Sequence, residues 1–149
     1  MTGKIIPDIV ENQTLHTLSK SSTTLEAANL MATNRISAIL VTESDKLVGI
    51  VTERDLTAKV LAGKLNPESA ALADIMTANP DVLDPSDSPI SALELMRLRG
   101  YRHLPVVEDG CPVGIVSIRD LYAAAKDQLE EDIRQREAFI FDTGYGAGS

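Results

Sequence analysis

Apolar and polar positions follow two rhythms along this chain, and the whole pattern is written twice. After the hydroxyl-rich Ser21–Thr24, Leu25, Ala27, Ala28, Leu30 and Met31 recur at helical spacing, with capping side chains in place ahead of them. An apolar run, Ile36–Val41, then meets a polar turn at Glu43–Lys46 and a second run, Leu47–Val51, which predicts a hairpin. Asp55–Leu61 returns to helical spacing and stops at Gly63. Downstream, Ser88 and Pro89 form an N-cap and first helical residue. Two short strands, Leu104–Val107 and Val113–Val116, flank the turn Glu108–Gly110. Each unit is expected to be a short extended piece, a helix, a hairpin and a second helix.

The repetition extends to individual residues. Val48–Leu56 and Val113–Leu121 differ only where Thr52 meets Ser117 and Glu53 meets Ile118. At the same offset, Ala27, Leu30, Met31, Val41 and Glu43 fall on Ala92, Leu95, Met96, Val106 and Glu108. Asp8-Ile9 and Asp74-Ile75 match at an offset one residue larger. A unit of about 60 residues is marginal alone, so two copies should pack face to face and leave a pseudo-two-fold cleft. The expected layout is one repeat at 8–65, a linker at 66–73, a second repeat at 74–128, and a charged helical extension with a tail at 129–149. Within that tail, Gly144–Ser149 is expected to be mobile.

Composition narrows the chemistry. Hydrophobic residues make up 44% of the 149, but only 3% are aromatic, so the core is aliphatic and offers no stacking platform for single-stranded nucleic acid. A net charge of −8 argues against bulk nucleic-acid binding. The lone Cys111 excludes an internal disulfide, and His16 and His103 lack zinc-ligand spacing. No secretory or membrane-spanning apolar run is present, which leads us to expect a cytoplasmic protein.

Chemistry concentrates in a motif that ends a strand and opens a helix: Gly, two apolar residues, Thr or Ser, any residue, Arg, Asp, apolar. It spans Gly49–Leu56 and Gly114–Leu121. Helix N-termini present free N–H groups. Thr52 or Ser117 adds a hydroxyl, and Arg54 or Arg119 a planar cation suited to phosphate. Asp55 or Asp120 could accept two vicinal ribose hydroxyls. The same spacing equally fits a capping box that serves the helix alone. Both readings stand at this point.

In its order of elements, the chain resembles the CBS domain, named after cystathionine β-synthase, in its tandem form. The likeness runs from about residue 8 to 128 and is carried by Asn34–Val41, Gly100–Val107 and both Gly-x-x-Thr/Ser-x-x-Asp segments. It implies an α+β fold of two β-α-β-β-α repeats in pseudo-two-fold symmetry, here with a C-terminal helical extension. It also implies an adenosine-containing ligand, AMP, ADP or ATP, with S-adenosylmethionine in some members. Ribose would fall to Thr52 with Asp55 and to Ser117 with Asp120. Phosphate would fall to Arg54, Arg119, Arg102 and His103, and the adenine wall to Ile36, Ser37, Ala38 and to Tyr101, Arg102, His103 and Leu104. Arg35 is as compatible with a solvated position ahead of the strand as with a ligand contact. The resemblance implies two candidate clefts; His103 stands where the first copy has Ala38, and Ile118 where it has Glu53, so the two are not equivalent.

A regulatory sensor is therefore expected, one that forms a homodimer and acts on an effector protein in trans, with no required cofactor, metal or membrane insertion. A structural adaptor that binds no nucleotide is the alternative. An enzyme is not expected: there is no phosphate loop ending in Lys-Ser/Thr and no spaced nucleophile and base.

Overall fold

The computed structural model describes residues 2–142. The expected tail, Gly144–Ser149, lies outside the described residues. After a helical turn at Ile5–Ile9, the elements run β1 (Thr17–Leu18), α1 (Thr24–Asn34), β2 (Ala38–Glu43), β3 (Lys46–Thr52) and α2 (Glu53–Asp55). A π-wound stretch, Leu56–Leu61, prolongs α2. Then follow α3 (Leu72–Ile75), β4 (Thr77–Ala78), α4 (Pro89–Arg99), β5 (His103–Glu108), β6 (Cys111–Ser117) and α5 (Ile118–Asp142).

Local chemistry explains each boundary. Thr23 caps α1 by accepting from the Glu26 N–H at 3.1 Å, and Ser88 caps α4 by accepting from the Ser91 N–H at 3.1 Å, with Pro89 opening the helix. Both helices end in a left-handed residue, Arg35 after α1 and Gly100 after α4. Both hairpins turn on two residues of positive φ, Ser44-Asp45 and Asp109-Gly110, the backbone that matches the twist of the flanking strands.

Four strands form one sheet in the order β1-β2-β3-β4. Here β1 is parallel to β2, and the two later pairings are antiparallel. The second repeat contributes the β5–β6 hairpin, with Leu83 bridging Val106 in parallel as Leu18 bridges Val41. Where β4 adds its backbone to β3 at Ile50, the second copy uses a side chain instead. The Gln13 amide accepts from the Ile115 N–H at 2.8 Å and donates to the Ile115 carbonyl at 3.0 Å.

Strand alternation divides the residues between two environments. Ile39, Val41 and Val51 face the helices of the first repeat, and Leu104, Val106 and Val116 those of the second. On the opposite faces Ala38, Leu40 and Ile50 join Leu47 and Ile115 in an apolar seam where the repeats meet. The hairpin tips reinforce it: the Leu47 N–H donates to the Gly110 carbonyl at 3.0 Å, and Lys46 Nζ to that of Asp109.

The unit of packing is not the unit of sequence. Ile5 and Val10, which lead the first repeat, are buried in the core of the second, beside Leu83, Met96 and Leu121. Leu72 and Ile75, which lead the second, are buried in the core of the first beside Met31 and Val60. Leu72 lies inside the segment read from sequence as a linker, yet it is fully buried. The leading segments are thus exchanged, and each repeat completes the other. The whole of α5 is about 37 Å long at 1.5 Å per residue; it starts in the second core with the buried Leu121 and runs outward, with residues 126–140 exposed along it.

Candidate functional site

Each copy of the motif ends a strand and starts a helix, so chain geometry carries its hydroxyl and carboxylate to the rim of the face between the repeats. In the first copy, Thr52 Oγ1 accepts from the Asp55 N–H at 3.3 Å. Asp55 Oδ2 accepts from the Thr52 N–H at 2.9 Å and from its hydroxyl at 3.2 Å. In the second, Ser117 Oγ accepts from the Asp120 N–H at 3.1 Å, and Asp120 Oδ2 from the Ser117 N–H at 2.8 Å. Both motifs are closed capping boxes, so capping accounts for part of why each is written as it is.

Ladder register brings the next residues in. Ala38 pairs with Thr52 and His103 with Ser117, and directly opposed residues share a face of the sheet. The Ser37 carbonyl accepts from the Glu53 N–H, and the Arg102 carbonyl from the Ile118 N–H, each at 2.9 Å, which ties each strand start to its helix start. Across the cleft, Ser37 Oγ and His103 Nε2 stand 2.9 Å apart, a hydrogen bond between the repeats. Burial holds the His103 imidazole below its ordinary pKa. Asp120 and Glu53 push it upward, while Arg102 and Arg119 add to the lowering. Two acids and two guanidinium groups therefore act on one imidazole, and all but Glu53 come from the second repeat.

The thirteen residues singled out from sequence fall into three groups. Ser37 and His103 meet across the cleft, Ser117 and Asp120 join His103 through the ladder and the cap, Arg102 and Arg119 are exposed and act on His103 through their charge, and Thr52 and Asp55 stand at the related position of the first repeat. Arg54 is an exposed residue of α2. Ala38 is buried in the apolar seam, and Ile36 and Tyr101 pack against the two cores. Leu104 corrects the sequence reading: it is 1% exposed and belongs to the core of the second repeat. It alternates with His103 along β5, so its side chain turns away from the cleft and cannot wall a base. Arg35, left open above, is the exposed left-handed residue that closes α1.

One residue went unnoticed in the sequence. Lys59 pairs with Asp55 Oδ1 at 3.1 Å and donates to the Ile75 carbonyl at 2.7 Å. The signal was available: Asp55 and Lys59 stand four apart on a helix, whereas the position equivalent to Lys59 is Ala124.

Two open grooves lie elsewhere. One, of about 460 Å³, runs along α5 at Asp132, Arg136 and Phe139. The other, of about 400 Å³, lies between Thr2, Gly3, Asp8 and Ile9 and the α5 residues Ala124, Asp127, Gln128 and Glu131. Among the described residues, no group of three or more His, Cys, Asp or Glu side chains is placed to hold a metal ion, and no helix is long and apolar enough to cross a membrane.

Comparison with known proteins agrees with this architecture. The CBS domain family matches the chain twice, at residues 6–62 and 72–127. A CBS domain-containing protein of Arabidopsis thaliana is 32% identical over 137 residues, which cover 89% of this chain and 26% of that protein. The chain thus spans about a quarter of the length of such curated relatives. Among solved structures, a CBS-domain-containing protein from Agrobacterium tumefaciens is 31% identical with a TM-score of 0.70, covering 77% of this chain and 87% of that one. A CBS domain protein from Pyrobaculum aerophilum complexed with AMP is 28% identical, also with a TM-score of 0.70, covering 76% and 87%.

Proposed function

This chain belongs to the CBS domain family, and from that premise we propose that it is a non-enzymatic regulatory module with an adenosine-containing ligand in the cleft between its repeats. AMP, ADP or ATP is the ligand class, with S-adenosylmethionine the alternative within it. What supports this reading is the Ser117–Asp120 pair set beside His103 on β5, with Arg102 and Arg119 close enough for their charges to act on that imidazole. A carboxylate that accepts vicinal hydroxyls and guanidinium groups that meet phosphate are what a nucleotide requires. The relative complexed with AMP, which shares the fold and 28% of its residues, supports the same ligand class.

Occupancy would act by favouring one arrangement of the repeats over another. The Ser37–His103 bond crosses the cleft, so a ligand that displaces it alters a contact between the repeats directly. An effector reads that state. We further propose a homodimer, working in the cytoplasm.

Thermal unfolding against AMP, ADP, ATP and S-adenosylmethionine tests the reading. A ligand that binds only the folded chain adds about 2.7 kcal/mol at 100 times its Kd. At about 2–4 °C per kcal/mol for a domain of this size, the midpoint rises by about 5–11 °C. Asp120→Ala should abolish that rise. One observation favours a second reading, a structural adaptor without a ligand: both motif carboxylates already serve as caps. No midpoint shift with any of the four compounds, with the Asp variants merely less stable, would favour the adaptor and turn the search to protein partners.

A further inference from the structure

The two halves of the cleft are written with the same motif, but their carboxylates are not equally free. Asp55 has both oxygens engaged. Oδ2 takes the Thr52 N–H and hydroxyl, and Oδ1 takes the Lys59 ammonium at 3.1 Å. The carboxylate is only 14% exposed. Lys59 is itself anchored by the Ile75 carbonyl at 2.7 Å, which holds its ammonium in place beside Asp55. Asp120 uses Oδ2 for the Ser117 N–H, and Oδ1 has no hydrogen bond or ion pair among the described residues. A carboxylate that must chelate two hydroxyls needs free acceptor capacity. Only Asp120 has it.

The pseudo-symmetry shows what is missing from the second half. Ala124 is the counterpart of Lys59, and Ile9 the counterpart of Ile75. Ala124 and Ile9 line the same groove of about 400 Å³ beside α5. Where the first repeat inserts a lysine between helix and leading segment, the second leaves open space. The charges differ in the same sense. Arg102 stands where the first copy has Ser37, and Glu53, which would repel phosphate, where the second has Ile118, while Arg54 and Arg119 are equivalent.

Resting on the reading of the cleft as an adenosine-ligand site, we infer that Lys59 is a specificity-determining residue. It locks the Asp55 half shut, so one chain takes one ligand, at Asp120. Lys59 touches no ligand in this scheme; it acts by holding the carboxylate a ligand would need.

Isothermal titration with AMP, with a melting curve for each variant to establish folding, tests the lock. The native chain should bind one AMP per chain. Asp55→Asn should leave its affinity within twofold, and Asp120→Asn should weaken it at least tenfold. Lys59→Met, which keeps the aliphatic stem, should add a second binding event. Ala124→Lys should pair with Asp120 across one helical turn and weaken binding at least tenfold. Because the lysine is moved rather than merely removed, Ala124→Lys keeps the inference falsifiable even if Lys59→Met fails to fold. Two sites in the native chain, equal losses from the two Asp→Asn variants, or an Ala124→Lys chain with native affinity would each overturn the lock while leaving the ligand class intact. No binding of AMP, ADP, ATP or S-adenosylmethionine by the native chain or by Lys59→Met would overturn the underlying ligand reading along with it.

Discussion

Glycine opens the Gly-x-x-Thr/Ser-x-x-Asp motif in both repeats, but the two glycines answer to different surroundings. Gly49 lies opposite Ala78 of β4. A methyl group built on it would collide with the Met76 sulfur and come within 3.0 Å of Met76 Cγ and 3.1 Å of the Thr77 carbonyl oxygen. Backbone cannot step aside there without breaking the β3–β4 pairing. Gly114 has no such neighbour: a methyl group would meet Gln13 Oε1 at 3.4 Å, Val10 Cγ2 at 3.5 Å and Val106 Cβ at 3.6 Å, all ordinary contacts. Overpacking costs about 1–3 kcal/mol, and replacing a strand glycine by alanine recovers roughly 0.5–1 kcal/mol. Gly49→Ala should therefore lose about 1–2 kcal/mol, a fall in Tm of about 2–8 °C at roughly 2–4 °C per kcal/mol. Gly114→Ala should gain about 0.4–1 kcal/mol through the unfolded chain, a rise of about 1–4 °C on the same scale. Scanning calorimetry of the two variants beside the native chain reads both signs at once. Equal losses would refute the reasoning, because they would mean that the motif itself, rather than the approach of β4, requires glycine.

Two further outcomes follow from the same comparison of halves. Arg35 closes α1 at φ 53°, where the second repeat uses Gly100 at φ 73°; Arg35→Gly should raise stability by about 0.5–1 kcal/mol in urea unfolding, and a loss would show that the Arg35 side chain contributes more than its backbone strain costs. Because the His103 pKa is lowered in the folded chain, the unfolded chain holds the extra proton in the window below about 6.5. Stability should thus be full above that value and fall as pH drops towards the folded pKa, and His103→Asn should remove that part of the slope in melts between pH 5 and 8.

Much of this molecule was legible before any coordinates, because its signals are local. The helix caps at Thr23 and Ser88, the hairpins and the strand-to-helix motif each follow from a few adjacent residues. The pseudo-symmetry was legible because the chain states it twice. What escaped depends on distant partners. The family resemblance puts Leu104 in the cleft wall with Tyr101, Arg102 and His103, but strand alternation sends its side chain to the opposite face. Gln13 gave no sign that its side chain would complete a sheet edge a hundred residues away. Ser37 and His103 were each singled out, yet nothing in their spacing joined them. The exchange of leading segments is also hidden: Leu72 falls in a segment that reads as a linker and Ile5 ahead of the first repeat, and nothing near either says whose core it enters.

That exchange bears on how the cleft could work. If each repeat were an independent body, a ligand between them would only add contacts across a hinge. Here Val10 sits in the second core and Leu72 and Ile75 in the first, so the connections on both sides of the cleft are anchored in the opposite repeat. Each fully buried aliphatic side chain is worth about 1.5–3 kcal/mol, and separating the repeats would forfeit several at once. A ligand therefore cannot part the repeats; it can change only how their inter-repeat faces bear on each other. The contacts free to change without loss of either core are few: the Ser37–His103 bond, the Lys46 and Leu47 bonds to the opposite hairpin, and the charges around His103. On the proposed reading, small displacements at these contacts, rather than opening of the pair, would be the signal. The helix α5 starts at Ser117 and Asp120 and extends beyond the body. Among the described residues it both borders the cleft and reaches away from it, and on the proposed reading it would carry that displacement outward.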